Sequence, residues 1–323
     1  MTKEEKKAYL GEVFADAKSD VPFKRALGTE KYKAATIGIL NAFIPEKHVV
    51  DVSFENTEVI PENSEGKNSV IDVICTDDEG TRFIVEMQRA KQENYRQRSY
   101  FYASKLIAAR SGLTGDGWGY ELEPLYSLSF VDFDIDGSMS SGSIEDRVLR
   151  YRMSDLRDGE KMPGSTEFVF VCVKDVTEKN PQEIDDLKEI FVYLLARVKD
   201  MTQIPEKWKE IPAVNDFLEA CRQSNFSEKE QIKYLSDMMN EWDIENARKY
   251  AMKEGRAEGL EKGLAEGRAE GRAEGRAEGI LEGEARGEAR GKAEVALALR
   301  NAGVDIATIA KASGLSEEEI RNL

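Results

Sequence analysis

The stretch that most constrains the fold is Asn68–Gln88, NSVIDVICTDDEGTRFIVEMQ. Val70–Thr76 is an apolar run carrying one charge, Asp72, and Asp77, Asp78, Glu79 and Gly80 supply turn chemistry. Thr81–Gln88 returns as a second strand, so the whole predicts a β-hairpin. Side chains alternate across a strand, which puts Glu86 and Gln88 on one face. An acid in one strand facing E-x-Q in the next suits a hard divalent cation. Mg²⁺ takes one or two carboxylates and fills its other positions with water and phosphate oxygens. The competing reading is an ordinary half-exposed hairpin whose acids face water.

The 323 residues suffice for one sizeable core and an appendage. With 46 basic and 62 acidic residues the formal charge is −16. That balance argues against non-specific coating of nucleic acid but leaves room for a nuclease with a local basic surface. The opening MTKEEKKAYL has acids where a secretory signal needs an apolar segment. No apolar run is long enough to span a bilayer, so no membrane association is expected. Cys75, Cys172 and Cys221 are far apart and read as reduced core residues of a cytoplasmic protein. His48, the only histidine, lacks the context of a zinc site or a Cys–His dyad.

Residues 1–20 read as an N-terminal arm. A helix is expected from about Glu30 to Phe43, capped by Thr29, with Tyr32, Ala35, Thr36, Ile39, Leu40 and Phe43 as its apolar stripe. Glu30 lies in its first turn. There it serves the helix dipole, or it stands as an accessory acid near the metal. His48–Ile60 reads as a strand and 61–68 as a loop. After the hairpin, Arg89–Arg110 interleaves basic residues with Tyr95, Tyr100, Phe101 and Tyr102. Arg89, Lys91, Arg96, Arg98 and Lys105 could receive a phosphate backbone, or the stretch is a surface helix whose aromatics are core. Gly112–Gly119 lacks a P-loop lysine, so no nucleotide cofactor is expected. Strands follow at Pro124–Ile135, Arg147–Met153 and Glu167–Asp175, then helices at Ile184–Val198 and, as one or two, Phe217–Arg248.

DVPFKRALG, SVIDVICTDDEG, FIVEMQ, the Tyr/Arg-rich helix and SLSFVDFDI, in this order over roughly residues 18–200, resemble the recombination-promoting nuclease/transposase family of the PD-(D/E)XK nuclease superfamily. The resemblance implies a restriction-endonuclease-like α/β fold, a mixed-sheet αβββαβ core with C-terminal helices. It also implies a Mg²⁺-dependent DNA endonuclease linked to recombination or mobile elements, with Mn²⁺ or Ca²⁺ as substitutes. Asp72 and Glu86 would hold the metal, with Gln88 completing the catalytic set, and Glu30 would match the acid often found on the first helix. Gln88 stands where much of the superfamily has lysine. A neutral amide can orient by hydrogen bonding but cannot supply charge. Arg89, Lys91 or Arg98 could replace that charge, or metal ions could suffice. The alternative is a catalytically weak DNA-binding module of the same fold.

From Gly255 to Gly291 a glycine recurs every fourth residue, ten in all. Each glycine costs a helix about 1 kcal/mol relative to alanine, so a lone helix is disfavoured and a flexible linker is one reading. The other rests on a charge palindrome about Ile280. An antiparallel pairing sets Arg272 against Glu288, Arg276 against Glu284, Glu270 against Arg290 and Glu274 against Arg286. Arg268 with Lys292 and Glu278 with Glu282 oppose it. Residues 264–294 therefore predict a homodimer through an antiparallel helix pair. The tail reads as two short helices around Ser313-Gly314, the second opened by a Ser316/Glu319 capping box. Its acids make a packing hairpin a better reading than a base-reading helix. The expected organisation is an arm (1–20), a nuclease-like core (21–180), a helical extension (181–250), the repeat (251–294) and a hairpin tail (295–323).

Overall fold

The computed structural model describes residues 13–55, 58–59, 69–110, 122–135, 137, 139, 143–177 and 179–323. The chain divides into two compact units, Met1–Asp243 and Ile244–Leu323.

The first unit is a mixed α/β layer structure around a six-stranded sheet. Its strands are β1 (Val52–Phe54), β4 (Val73–Asp77), β5 (Arg82–Gln88), β6 (Leu125–Val131), β7 (Val148–Arg152) and β8 (Thr166–Cys172), in the order β1-β4-β5-β6-β8-β7. A separate ribbon joins β2 (Glu58–Val59) to β3 (Ser69–Val70). The expected hairpin is β4–β5, antiparallel, with Val73 opposite Val85 and Thr76 opposite Arg82. Its turn works as the residues suggest. Asp77 Oδ1 accepts from the Glu79 and Thr81 amides at 3.0 and 2.7 Å, and Gly80 takes φ +82°, which glycine adopts without strain. From β5 the chain crosses through helix α3 (Tyr95–Arg110) to β6, and β5, β6 and β8 run parallel. This is the restriction-endonuclease-like order, with β7 and β8 extending the sheet.

Alternation along the strands divides the core between the two faces. Val73, Cys75, Phe83, Val85, Leu128 and Val171 face a layer formed by α1 (Asp20–Leu27), α2 (Lys33–Phe43), α4 (Leu187–Arg197) and α6 (Pro212–Cys221), with the four-residue α5 (Glu206–Lys209) beside it. Ile74, Ile84, Leu125, Phe168 and Phe170 face α3. All three cysteines are buried and unpaired.

Several boundaries differ from the sequence reading. The strand expected over His48–Ile60 divides into β1 and β2, which join different sheets. The apolar run Val70–Thr76 is broken at Ile71–Asp72 for a reason of chemistry. The Met87 amide donates to Asp72 Oδ2 at 3.0 Å, so a side chain takes a ladder donor and the pairing ends at Val73. Residues 30–32 form a 3-10 turn and α2 begins at Lys33. Thr29 does not cap, because its hydroxyl donates to the Arg25 carbonyl at 2.8 Å. The basic stretch becomes helical only at Tyr95, after Asn94 turns through φ +62°, so Arg89 and Lys91 lie before the helix. The glycine-rich 112–119 and the loop 61–68 fall outside the described residues.

Helix α7 (Glu228–Asn301) starts in the first unit, where Tyr234 and Met238 pack with Ala15, Val21 and Phe226. The second unit holds the rest of it. The glycine repeat is helical here, and a methyl group at any of its ten glycines would meet nothing within 4 Å. Helices α8 (Ile306–Ser313) and α9 (Glu317–Arg321) fold back as a hairpin around Ala296, Ile309 and Ile320. The capping box is formed, with Ser316 and Glu319 each satisfying the other's backbone amide. Among the described residues no helix is long and apolar enough to cross a membrane.

Candidate nuclease site

One residue beyond the paired register, Asp72 lies opposite Glu86; Glu86 shares the α3 face with Ile84, while Asp72 reaches Lys24 of α1. Glu86 is 6% exposed, and its carboxylate accepts no hydrogen bond among the described residues. Burial first, and the charge of Asp72 second, push its carboxyl up to about 7, against Arg98 and Lys24. Burial also raises the Asp72 carboxyl, with the Met87 amide and Lys24 opposing. Beside Glu86 in register stands the buried Ser129, next to the Tyr95 hydroxyl. The charge of the half-buried Asp72 raises the proton affinity of the buried Glu86, and together the two carboxylates form an anionic site that a cation would stabilise.

Sequence reasoning gave no role to two residues of α1, Asp20 and Lys24. Lys24 Nζ lies 2.6 Å from Asp20 Oδ1 and 3.5 Å from Asp72 Oδ1. Burial works against the Lys24 ammonium, but Asp20 and Asp72 outweigh it and hold the lysine charged. Burial would raise Asp20 as well, but Lys233, 2.5 Å away, and Lys24 keep it below its ordinary value. Asp20, Lys24 and Asp72 line one cavity of about 440 Å³. The signal was present in DVPFKRALG, where Asp20 and Lys24 sit four apart on a helix that could face the hairpin.

The expected residues are distributed unevenly. Gln88 Oε1 accepts from Arg98 Nη2 at 3.1 Å, and its amide donates to the Ala90 carbonyl. The Arg98 guanidinium lies 5.5 and 5.2 Å from the Tyr95 and Tyr102 ring centroids. Arg98 is thus the basic residue of α3 drawn into the site. Arg89 instead pairs with Glu241 and, at 3.6 Å, with Asp16. Lys91 is exposed, Arg96 bonds the Tyr151 hydroxyl at 3.0 Å, and Lys105 lies over the Phe101 ring. Glu30 is exposed on its 3-10 turn, 3.9 Å from Lys33.

A family model described as PD-(D/E)XK nuclease family transposase matches residues 17–251, which takes in the whole sheet and its flanking helices. The chain belongs to this family. Comparison with curated proteins and with solved structures returns no match. Membership makes this a nuclease-like protein of a class that generally uses divalent metal ions and acts on DNA. The donor set fits such an ion. Among the described residues no group of three or more His, Cys, Asp or Glu is placed to hold a metal. Two carboxylates, Asp72 and Glu86, are a number of protein ligands that Mg²⁺ accepts.

Proposed function

We propose that this chain is a Mg²⁺-dependent endonuclease that hydrolyses DNA phosphodiesters, acting in recombination or mobile-element chemistry. The observation that carries the reading is the neighbouring pair of buried Glu86 and half-buried Asp72, with Lys24 and Arg98 acting on the same carboxylate. Asp72 and Glu86 would hold the ion, with Mn²⁺ or Ca²⁺ able to substitute. When bound it supplies charge neutralisation at the phosphate and a more acidic water. Lys24 stands beside Asp72, where a cation can stabilise charge developing on the phosphate. That answers the lysine missing at position 88. Gln88 keeps Arg98 turned towards the site through its amide oxygen. Asp72→Ala or Glu86→Ala abolishes Mg²⁺-dependent cleavage of a labelled duplex with the circular dichroism unchanged. Full cleavage by either variant removes the assignment.

The second reading, a weakly active DNA-binding module, draws on Gln88 alone and predicts metal binding without cleavage. Buried thiols without a disulfide agree with a reducing, cytoplasmic compartment. We further assign residues 264–294 to an antiparallel homodimer. The repeat is exposed along its length, with Leu264, Ile280 and Leu281 more than half exposed, and the charge palindrome fits a second copy.

A further inference from the structure

A second concave site lies on the same face of the sheet, between α3 and the β8–β7 edge, with a volume of about 380 Å³. Its aromatic lining is Tyr100, Tyr151, Phe168 and Phe170. Tyr100 and Tyr151 are 59% and 40% exposed, so their rings are accessible to a ligand in the groove. The Tyr100 and Phe168 rings are 6.0 Å apart. Two cations stand at this lining. Arg96 lies 5.9 Å from the Tyr151 ring centroid, and Arg152 is exposed with no ion pair among the described residues. At the wall, Ser165 is 7% exposed and its buried hydroxyl has no partner. A buried unpartnered hydroxyl is costly unless a ligand completes it.

The geometry points to a pocket for an unstacked nucleobase of the DNA strand, with Tyr100 and Tyr151 stacking on the base, Ser165 bonding its edge and Arg152 meeting the adjoining phosphate. This rests on the nuclease reading for its choice of DNA. Flat aromatic rings with guanidinium groups at hand are the elements that hold single-stranded nucleic acid without reading duplex sequence. Position supports it. Neighbouring strands lie about 4.8 Å apart, so β8 is about 10 Å from β5 and Glu86, only a few nucleotide steps. A base held here would pin the strand whose phosphate lies at Asp72 and Glu86, and substrates with unpaired or distorted bases would be preferred.

The test is binding of the full-length protein, in EDTA so that no cleavage occurs, to three 12-nucleotide probes. These are a single strand carrying 2-aminopurine, the same strand with a central abasic site, and the matched duplex. Tyr151→Ala and Tyr100→Ala should each weaken single-strand binding about 5- to 100-fold and relieve 2-aminopurine quenching. Both should leave duplex binding within about twofold. Tyr151→Phe, which keeps the ring, should bind as the parent does. Arg152→Ala should lower the slope of log affinity against log salt by about 0.7 on the single strand. Equal affinity for the abasic and intact strands, or tyrosine variants that bind as tightly as the parent, would overturn the proposal. So would an apolar dye that occupies the groove without being displaced by the single strand. Base-dependent binding by a protein that still does not cleave when Mg²⁺ replaces EDTA would overturn the nuclease reading alone, and Mg²⁺-dependent cleavage without base-dependent binding would overturn this one alone.

Discussion

Replacing Glu86 by glutamine should make the metal-free protein more stable, and only above the acidic range. Glu86 is 6% exposed, and burial with the neighbouring Asp72 lifts its carboxyl from 4.5 to about 7. Each tenfold change in proton affinity is worth about 1.4 kcal/mol. Ionised Glu86 therefore costs the fold roughly 3–4 kcal/mol when no cation is present. The folded state binds this proton more tightly than the unfolded chain. Its contribution is fully present below about pH 4.5, falls as pH rises through about 7, and is lost above. Glutamine keeps the shape and cannot ionise. Urea unfolding in EDTA should show Glu86→Gln more stable than the parent by roughly 3–4 kcal/mol near pH 8 and equal to it near pH 4. Excess Mg²⁺ should close the gap by stabilising the parent and not the variant. A variant no more stable than the parent near pH 8, or a gain of the same size at both pH values, would refute the argument.

Lys24→Met should lower Mg²⁺-dependent cleavage about 10²–10³-fold, as loss of a charge-stabilising group does, and steady-state cleavage of a labelled duplex measures it. Gly38→Ala should destabilise the core by about 1–3 kcal/mol. Its new Cβ would stand 2.3 Å from the Ala213 Cβ, where α2 crosses α6, and thermal unfolding checks it. Ile280→Cys should form a disulfide with its own counterpart on mild oxidation, because it lies at the centre of the palindrome and the three native cysteines are buried. Ala265→Cys should not, since an antiparallel pair separates the two copies of that residue by about 45 Å. Multi-angle scattering of a monomer at high concentration would remove the dimer altogether.

The hairpin was legible because turn chemistry, strand alternation and the acids all lie within Asn68–Gln88. The bulge at Asp72 was not. It depends on a carboxylate replacing a backbone acceptor at Met87, and no periodicity records that. Alternation put Glu86 and Gln88 on one face, and the basic and aromatic stretch was expected to be helical; that this helix covers the same face comes only from the packing. Lys24 went unread because its partner is 48 positions away in sequence, and only the packing of α1 against the sheet brings it to Asp72. Arg89 shows the converse. Its position beside the motif suggested a phosphate ligand, yet long-range folding gives it Asp16 and Glu241 as partners. The glycine repeat was ambiguous because propensity disfavours a lone helix while the charge pattern fits a paired one. The structure gives a helix, and the pairing is what its glycine content would require for stability.

The most direct test of the central claim is nicking of supercoiled plasmid by the purified full-length protein with Mg²⁺, with EDTA, and with Asp72→Ala. The account predicts conversion to the open circle only with Mg²⁺ and an intact Asp72. Conversion in EDTA or by Asp72→Ala, or none by folded protein with Mg²⁺, would contradict it.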